Sequence, residues 1–136
     1  MIAIVDSGPL YAALDADDSW HEASLRTLGR ADLDLVIPAM VLAEVTYMVQ
    51  RRLGNDAEAA FLRGCGEFEI VAPTATDLTR MSDLVSRYAN FPLGGTDASV
   101  VALAERLGTE IVLTVDRRHF LAVRPLHCDV LSLLPE

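Results

Sequence analysis

Four acidic residues stand where a merely solubilising carboxylate is unexpected. Asp6 ends the apolar run Ile2-Ala3-Ile4-Val5, Asp116 ends the run Ile111-Val112-Leu113-Thr114-Val115, Glu44 interrupts an apolar helical pattern, and Asp97 opens another. A fold that brings them together makes a site for a hard divalent cation, because such ions select carboxylate oxygen, and a cation held that way serves phosphate chemistry. Each acid also has a plainer reading. Asp6, ahead of Ser7-Gly8-Pro9, suits a helix N-cap as well as a ligand, and Ser7 can cap in its place and leave it free. Asp97, in the first turn of a helix, gains about 0.3–1 kcal/mol from the helix dipole with no ligand at all. Asp116 heads Asp116-Arg117-Arg118-His119-Phe120, where a second N-cap or a surface ion pair worth ~0–1 kcal/mol accounts for it.

Glu44 is the sharper case. Its neighbours one helical turn away are Met40, Val41, Tyr47 and Met48, so the pattern places the acid on an apolar face. A buried carboxylate without a partner is strongly disfavoured. Glu44 therefore requires a metal, an arginine or a rim position open to water, and Arg51 lies two turns on.

The elements that must position these acids follow from the alternation of short β-branched runs with longer helical patterns. That alternation predicts an α/β fold, a three-layer sandwich whose central, mostly parallel sheet is flanked by helices. Strands are expected near 2–5, 34–37, 68–71, 110–115 and 129–132, and helices near 8–15, 19–30, 38–53, 55–65, 75–89, 96–107 and 117–122. Pro38 suits the first turn of the third helix, Gly54 its C-terminal end, Thr96 the cap of the helix that Asp97 begins, and Gly108 the end of that helix. No repeat or linker interrupts the pattern, so residues 1–136 are expected to form one domain. Ligands of such sheets bind outside the carboxyl ends of the strands, near the reversal of strand order. Asp6 and Asp116 both sit at carboxyl ends, and they face the same edge if their strands are neighbours.

Composition removes several alternatives. All 11 basic residues are arginine, so chemistry that needs a lysine is excluded, including the P-loop phosphate grip, Schiff-base catalysis and the phosphoacceptor receiver domain. His21, His119 and His127 are dispersed and form no zinc pattern; they read as structural or surface residues. No Gly-x-Ser-x-Gly elbow is present. The start of the chain has no basic n-region, and its apolar stretches are interrupted well short of a membrane span, so a soluble, non-secreted protein is expected, with Cys65 and Cys128 as buried or incidental thiols. The net charge of −9 opposes a nucleic-acid partner unless bound cations reverse the local sign.

Taken together, Ile4-Val5-Asp6-Ser7, Leu42-Ala43-Glu44-Val45, Pro92-Leu93-Gly94-Gly95-Thr96-Asp97-Ala98-Ser99 and Leu113-Thr114-Val115-Asp116-Arg117-Arg118-His119-Phe120 resemble the PIN-domain ribonucleases, and among them the VapC toxins of toxin–antitoxin pairs. They occur in family order from end to end. Ser7-Gly8-Pro9 departs from the commoner threonine or serine, small residue and alanine, and Gly95 stands where a larger apolar residue is frequent; neither removes a carboxylate. The resemblance implies a cytoplasmic Mg²⁺- or Mn²⁺-dependent endoribonuclease in which Asp6, Glu44, Asp97 and Asp116 hold one or two metals. It also implies that Ser7 and Thr114 supply orienting hydroxyls and that the products carry a 5′-phosphate and a 3′-hydroxyl. Arg117 and Arg118, with Arg124 nearby, read either as a solvated helix end or as contacts to RNA phosphates. A homodimer and a cognate antitoxin with a basic inhibitory segment are implied as partners, with Leu42, Val45, Val49, Leu53, Phe61 and Leu62 divided between core and antitoxin groove. The competing readings are a non-catalytic PIN module that only binds a partner, and a structure-specific DNA nuclease. The first is expected to have lost an acid, and the second to carry an added helical arch or DNA-binding domain.

Overall fold

Ala3, Ile4 and Val5 have no solvent exposure, so β1 (Ile2–Val5) is an inner strand, and a continuous apolar run is what such a strand requires in a parallel sheet. The computed structural model describes residues 1–136. After β1 come α1 (Ser7–Leu14), α2 (His21–Leu28), β2 (Asp34–Pro38), α3 (Ala39–Leu53), α4 (Asn55–Cys65), β3 (Glu69–Val71), α5 (Ala75–Arg87), α6 (Gly95–Leu107), β4 (Ile111–Leu113), α7 (Arg117–Ala122) and β5 (Ser132–Leu134). The sheet has the order β3-β2-β1-β4-β5 and every pairing is parallel. Strand order therefore reverses between β1 and β4, whose register sets Ile4 beside Val112 and Val5 beside Leu113. The condition that Asp6 and Asp116 share an edge is met.

The helices clamp this edge in place. In α3, Val41, Val45 and Val49 are fully buried at fourfold spacing, each contributing roughly 1.5–3 kcal/mol. In α6 seven successive residues, Ala98 to Ala104, are buried, which fits a helix that packs on β1, β2 and β4 and also against α3 and α5. Polar contacts join α5 to α6: Arg80 holds Glu105 through two hydrogen bonds of 2.8 and 2.9 Å, and Arg106 Nε donates to Asp77 Oδ2 at 2.9 Å. Asp77 also accepts the Thr74 amide while its own amide donates to Thr74 Oγ1, a reciprocal cap that starts α5.

Some boundaries differ from expectation. Pro38 closes β2, paired with Val71, and α3 starts one residue later. The α6 helix begins at Gly95 with Gly94 as N-cap, and Thr96 lies inside its first turn, where its carbonyl accepts from Ser99 Oγ. The last strand is Ser132–Leu134 rather than 129–132, because the buried Leu133 is the residue that pairs with Val112, whereas Val130 is exposed. Gly54 and Gly108 end α3 and α6 with φ of 91° and 67°, as the turn positions require.

A different glycine bears on the site. A Cβ placed on Gly8 would lie 2.4 Å from Val115 Cγ2, so the first turn of α1 abuts the segment after β4 more closely than any other residue allows. Gly8→Ala is therefore expected to cost about 1–3 kcal/mol by overpacking against a stiff β-branched neighbour. Thermal melts should show the loss, and adding Val115→Ala should recover part of it. Equal melting of Gly8→Ala and wild type would show that the two segments can separate freely.

Candidate active site at the strand-order reversal

β1 and β4 end side by side, and the chain past each end supplies the site. Asp6 continues the β1–β4 ladder, its amide donating to the Leu113 carbonyl at 2.8 Å, and then occupies the N-cap position of α1. Its side chain does not cap the helix. Thr114 Oγ1 instead donates to Asp6 Oδ2 at 2.8 Å, and the carboxylate is only 4% exposed. Asp6 Oδ1 has no partner at all, a rare condition for a buried carboxylate oxygen. The same Thr114 oxygen accepts the Asp116 amide at 2.9 Å, which joins the two strand-end acids through one hydroxyl.

Glu44 corrects the sequence expectation. It is exposed rather than buried on an apolar face, because the core stripe of α3 runs through Val41, Val45 and Val49 and Glu44 lies about 100° around from Val45. Of the three partners it required, the rim position open to water is the one realised. Ser7 Oγ donates to Glu44 Oε1 across a long 3.3 Å contact, so Ser7 steadies Glu44 rather than capping α1. Arg51 sits over the Tyr47 ring instead.

Asp97 lies half-buried in the first turn of α6, where the third helical residue turns toward the sheet edge. Asp116 caps α7 as its plainer reading required, with Oδ1 accepting the His119 amide at 3.2 Å and Oδ2 meeting His119 Nδ1 at 2.7 Å. His119 thus belongs to the site, although the sequence reading set it aside as structural or surface. The available signal was its spacing of three residues after a strand-end aspartate, which places a ring within reach of the cap. His21 and His127 bond the carbonyls of Ala12 and Thr109 and stay outside.

Electrostatics unite the four acids. Burial, followed by smaller contributions from the charges of Asp97 and Glu44, pushes Asp6 from 3.8 up to about 6, against the opposing pull of the Thr114 hydrogen bond. Burial also raises Asp97, with Asp116 and then Glu44 adding repulsion and His119 opposing it. The side chains do not form a closed coordination group of three. They form a shared negative field around one orphaned oxygen, and that acceptor-only chemistry fits a hard divalent cation. The largest surface cavity, about 870 Å³ and bordered by Arg80, Glu105, Arg106 and His127, contains none of the four acids, and both of its arginines are paired with acids. The site is an open rim at the sheet edge.

Comparison with known proteins agrees with this geometry. Residues 3–124 match the PIN domain family. Ribonuclease VapC26 of Mycobacterium tuberculosis is 35% identical over 134 residues, covering 97% of this chain and 99% of that protein. Among solved structures, the sarcin–ricin-loop-cleaving toxin VapC20 of M. tuberculosis superposes with a TM-score of 0.74 at 20% identity, covering 81% of this chain and 86% of that one. VapBC2 from Rickettsia felis, bound to a DNA fragment from its promoter, gives 0.71 at 18% identity and 98% coverage of both chains. A Klebsiella pneumoniae toxin–antitoxin complex gives 0.67 at 16% identity, covering 89% of this chain and 92% of that one. The chain belongs to the PIN-domain family, within its VapC ribonuclease group.

The Asp6 environment has a pH signature. The folded state holds a proton more tightly than the unfolded chain, so this stabilising share is full below about 3.8 and is lost as pH rises through about 6. The total is roughly 3 kcal/mol. In chelator, wild-type stability should fall across that window, and Asp6→Asn should flatten the dependence in urea titrations. A slope unaltered by Asp6→Asn would assign the proton uptake to another group.

Proposed function

We propose that this protein is a divalent-metal-dependent endoribonuclease and the toxin of a toxin–antitoxin pair, with Asp6, Glu44, Asp97 and Asp116 as its metal and catalytic residues. The observation that carries this reading is the unpartnered Asp6 Oδ1, buried where strand order reverses and repelled by the charges of Asp97 and Glu44. A protein without a cation there keeps repelling carboxylates together for no structural gain.

Mg²⁺ or Mn²⁺ at these acids would supply Lewis acidity toward a phosphodiester and lower the pKa of water. The chain's own residues divide the remaining work. Thr114 fixes Asp6 Oδ2 and leaves Oδ1 available, Ser7 steadies one oxygen of Glu44, and His119 orients Asp116 through both carboxylate oxygens. Asp97 is raised above the usual carboxylate range by burial and then by the charge of Asp116, so it holds its proton more tightly than a free aspartate does. Arg117 and Arg118, following Asp116, are the RNA-contact candidates in a chain of net charge −9. Retention of all four acids favours an enzyme over a partner-binding module.

An antitoxin is the partner this reading requires. The fold likeness to VapBC complexes supports it, as does an apolar groove of about 600 Å³ between α1, α2 and α4, bordered by Leu10, Leu14, Leu28, Phe61 and Phe68. Phe61 lines the groove and is otherwise buried, whereas the exposed Leu53 and Leu62 lie outside its lining. An arginine-bearing partner segment reaching the acidic rim would inhibit by pairing with the carboxylates. A homodimer completes the proposed assembly. No helix is long and apolar enough to cross a membrane.

Glu44→Gln tests the site with the least risk to folding, because Glu44 is exposed. It should lose at least about 100-fold in RNA cleavage while melting like wild type. Mg²⁺ or Mn²⁺ should support wild-type cleavage and EDTA should abolish it. Undiminished cleavage by Glu44→Gln at saturating metal would remove Glu44 from the site, and cleavage persisting in EDTA would remove the metal.

A further inference from the structure

Five of this protein's 11 arginines are held by carboxylates or main-chain carbonyls. Arg30 pairs with Asp32, Arg80 with Glu105 and Arg106 with Asp77, while Arg117 Nη1 donates to the Pro135 carbonyl and Arg124 Nη1 to that of Leu121. Arg51, Arg52 and Arg87 lie over tyrosine rings, and Arg118 is the one such arginine that follows Asp116. It is exposed, it has no carboxylate within ion-pair distance in a chain carrying 20 acids, and its guanidinium rests 5.1 Å from the centroid of the Phe91 ring. The same ring meets the His119 imidazole at 4.9 Å, tilted by 52°, and His119 is the residue that holds Asp116 at 2.7 Å.

Phe91 is thus the common support of two side chains from α7, and it stands on the segment that leads to Gly94, the N-cap of the helix carrying Asp97. The cluster bridges the two segments that deliver Asp97 and Asp116. A guanidinium laid over an aromatic ring keeps its N–H donors free and loses little further entropy on binding, which suits it to a planar or tetrahedral oxyanion. Next to a field of carboxylates it offers positive charge to a polyanion that the rest of the surface repels.

Of the two candidate arginines, we propose that Arg118, propped on Phe91, is the RNA phosphate-binding arm of this site, that Phe91 is its positioning residue, and that Arg117, tied to the Pro135 carbonyl, makes no phosphate contact. The arm would engage a phosphate next to the scissile one, because Arg118 is two residues beyond Asp116 and separate from the four acids. This rests on the ribonuclease reading above, but the two can fail separately.

The test uses full-length Asp97→Asn protein, to suppress cleavage, and a mixed-sequence single-stranded RNA 20-mer followed by fluorescence anisotropy in Mn²⁺ over a salt series. Arg118→Gln should weaken binding about tenfold and lower the slope of log affinity against log salt by about 0.7, the value for one single-strand phosphate contact. Phe91→Leu should weaken binding in the same direction, Phe91→Tyr should restore it by keeping the ring face, and Arg117→Gln should leave the slope unchanged. An Arg118→Gln protein with wild-type affinity and slope overturns the arm, as does a Phe91→Tyr protein as weak as Phe91→Leu. Cleavage assays on the Asp97-containing protein separate the two readings: RNA cleavage with no effect of Arg118→Gln sinks the arm alone, whereas Arg118-dependent binding without cleavage sinks the ribonuclease reading alone. Absence of RNA binding in every variant overturns both.

Discussion

The Thr114 hydroxyl donates to Asp6 Oδ2 and accepts the Asp116 amide, so one buried oxygen sets the relation between the ends of β1 and β4. Its single proton and its lone pairs are used in opposite directions, so the Asp6 carboxylate cannot turn, nor the Asp116 backbone shift, without breaking a bond to this oxygen. Every other feature of the site is arranged around that link. The parallel β1–β4 pairing brings the strands to the same level, the Asp6 amide extends the ladder to Leu113, and the contact of Gly8 with Val115 holds the following turn close. Separating the two strand ends would expose Asp6 to water and remove the burial that chiefly raises its pKa.

Gathering four carboxylates is unfavourable in itself, and the molecule offsets it at a distance. A contiguous core of 28 buried residues supports the sheet from both sides, and the paired charges of Arg80, Glu105, Arg106 and Asp77 join α5 to α6 away from the site. Those four are structural charges, each satisfied by a neighbour. The site acids are satisfied only in part: Asp6 has one oxygen bonded, Glu44 has one long contact, and only Asp116 has both oxygens engaged. Stability and function therefore use the same residue types in opposite ways, complete pairing in one region and deliberate incompleteness in the other.

That division also bears on how a chain of net charge −9 could meet a polyanion: the arginines after Asp116 place positive charge beside the acids, and under the proposed reading a cation at the rim would invert the sign there. Arg118 lies over an aromatic face instead of pairing with an acid. Phe91 and His119 connect it to Asp116, so the proposed phosphate arm and the orientation of that carboxylate belong to one packed cluster.

The linear chain was sufficient for the alternation of strands and helices, for the four acids and their order, and for the ends of α3 and α6 at Gly54 and Gly108, because these depend on local periodicity, on residue type and on backbone freedom that glycine alone has. It also carried the family motifs, which lie in short contiguous segments. It misplaced what depends on the neighbour across the sheet. Leu131 and Leu133 are both apolar and buried, and only pairing with Val112 decides that the strand runs through Leu133; Pro38 belongs to β2 because Val71 lies beside it. Glu44 looked buried from its neighbours one turn away, yet the face of α3 that turns inward is chosen by what packs on it. The hydroxyls of Ser7 and Thr114 were legible only through the family motifs, since their partners lie 37 and 108 residues away and are met only when the strands pair, whereas His119 was passed over although its spacing after Asp116 is local. Residue types set which chemistry was available; the β1–β4 contact decided which oxygen of Asp6 was left without a partner.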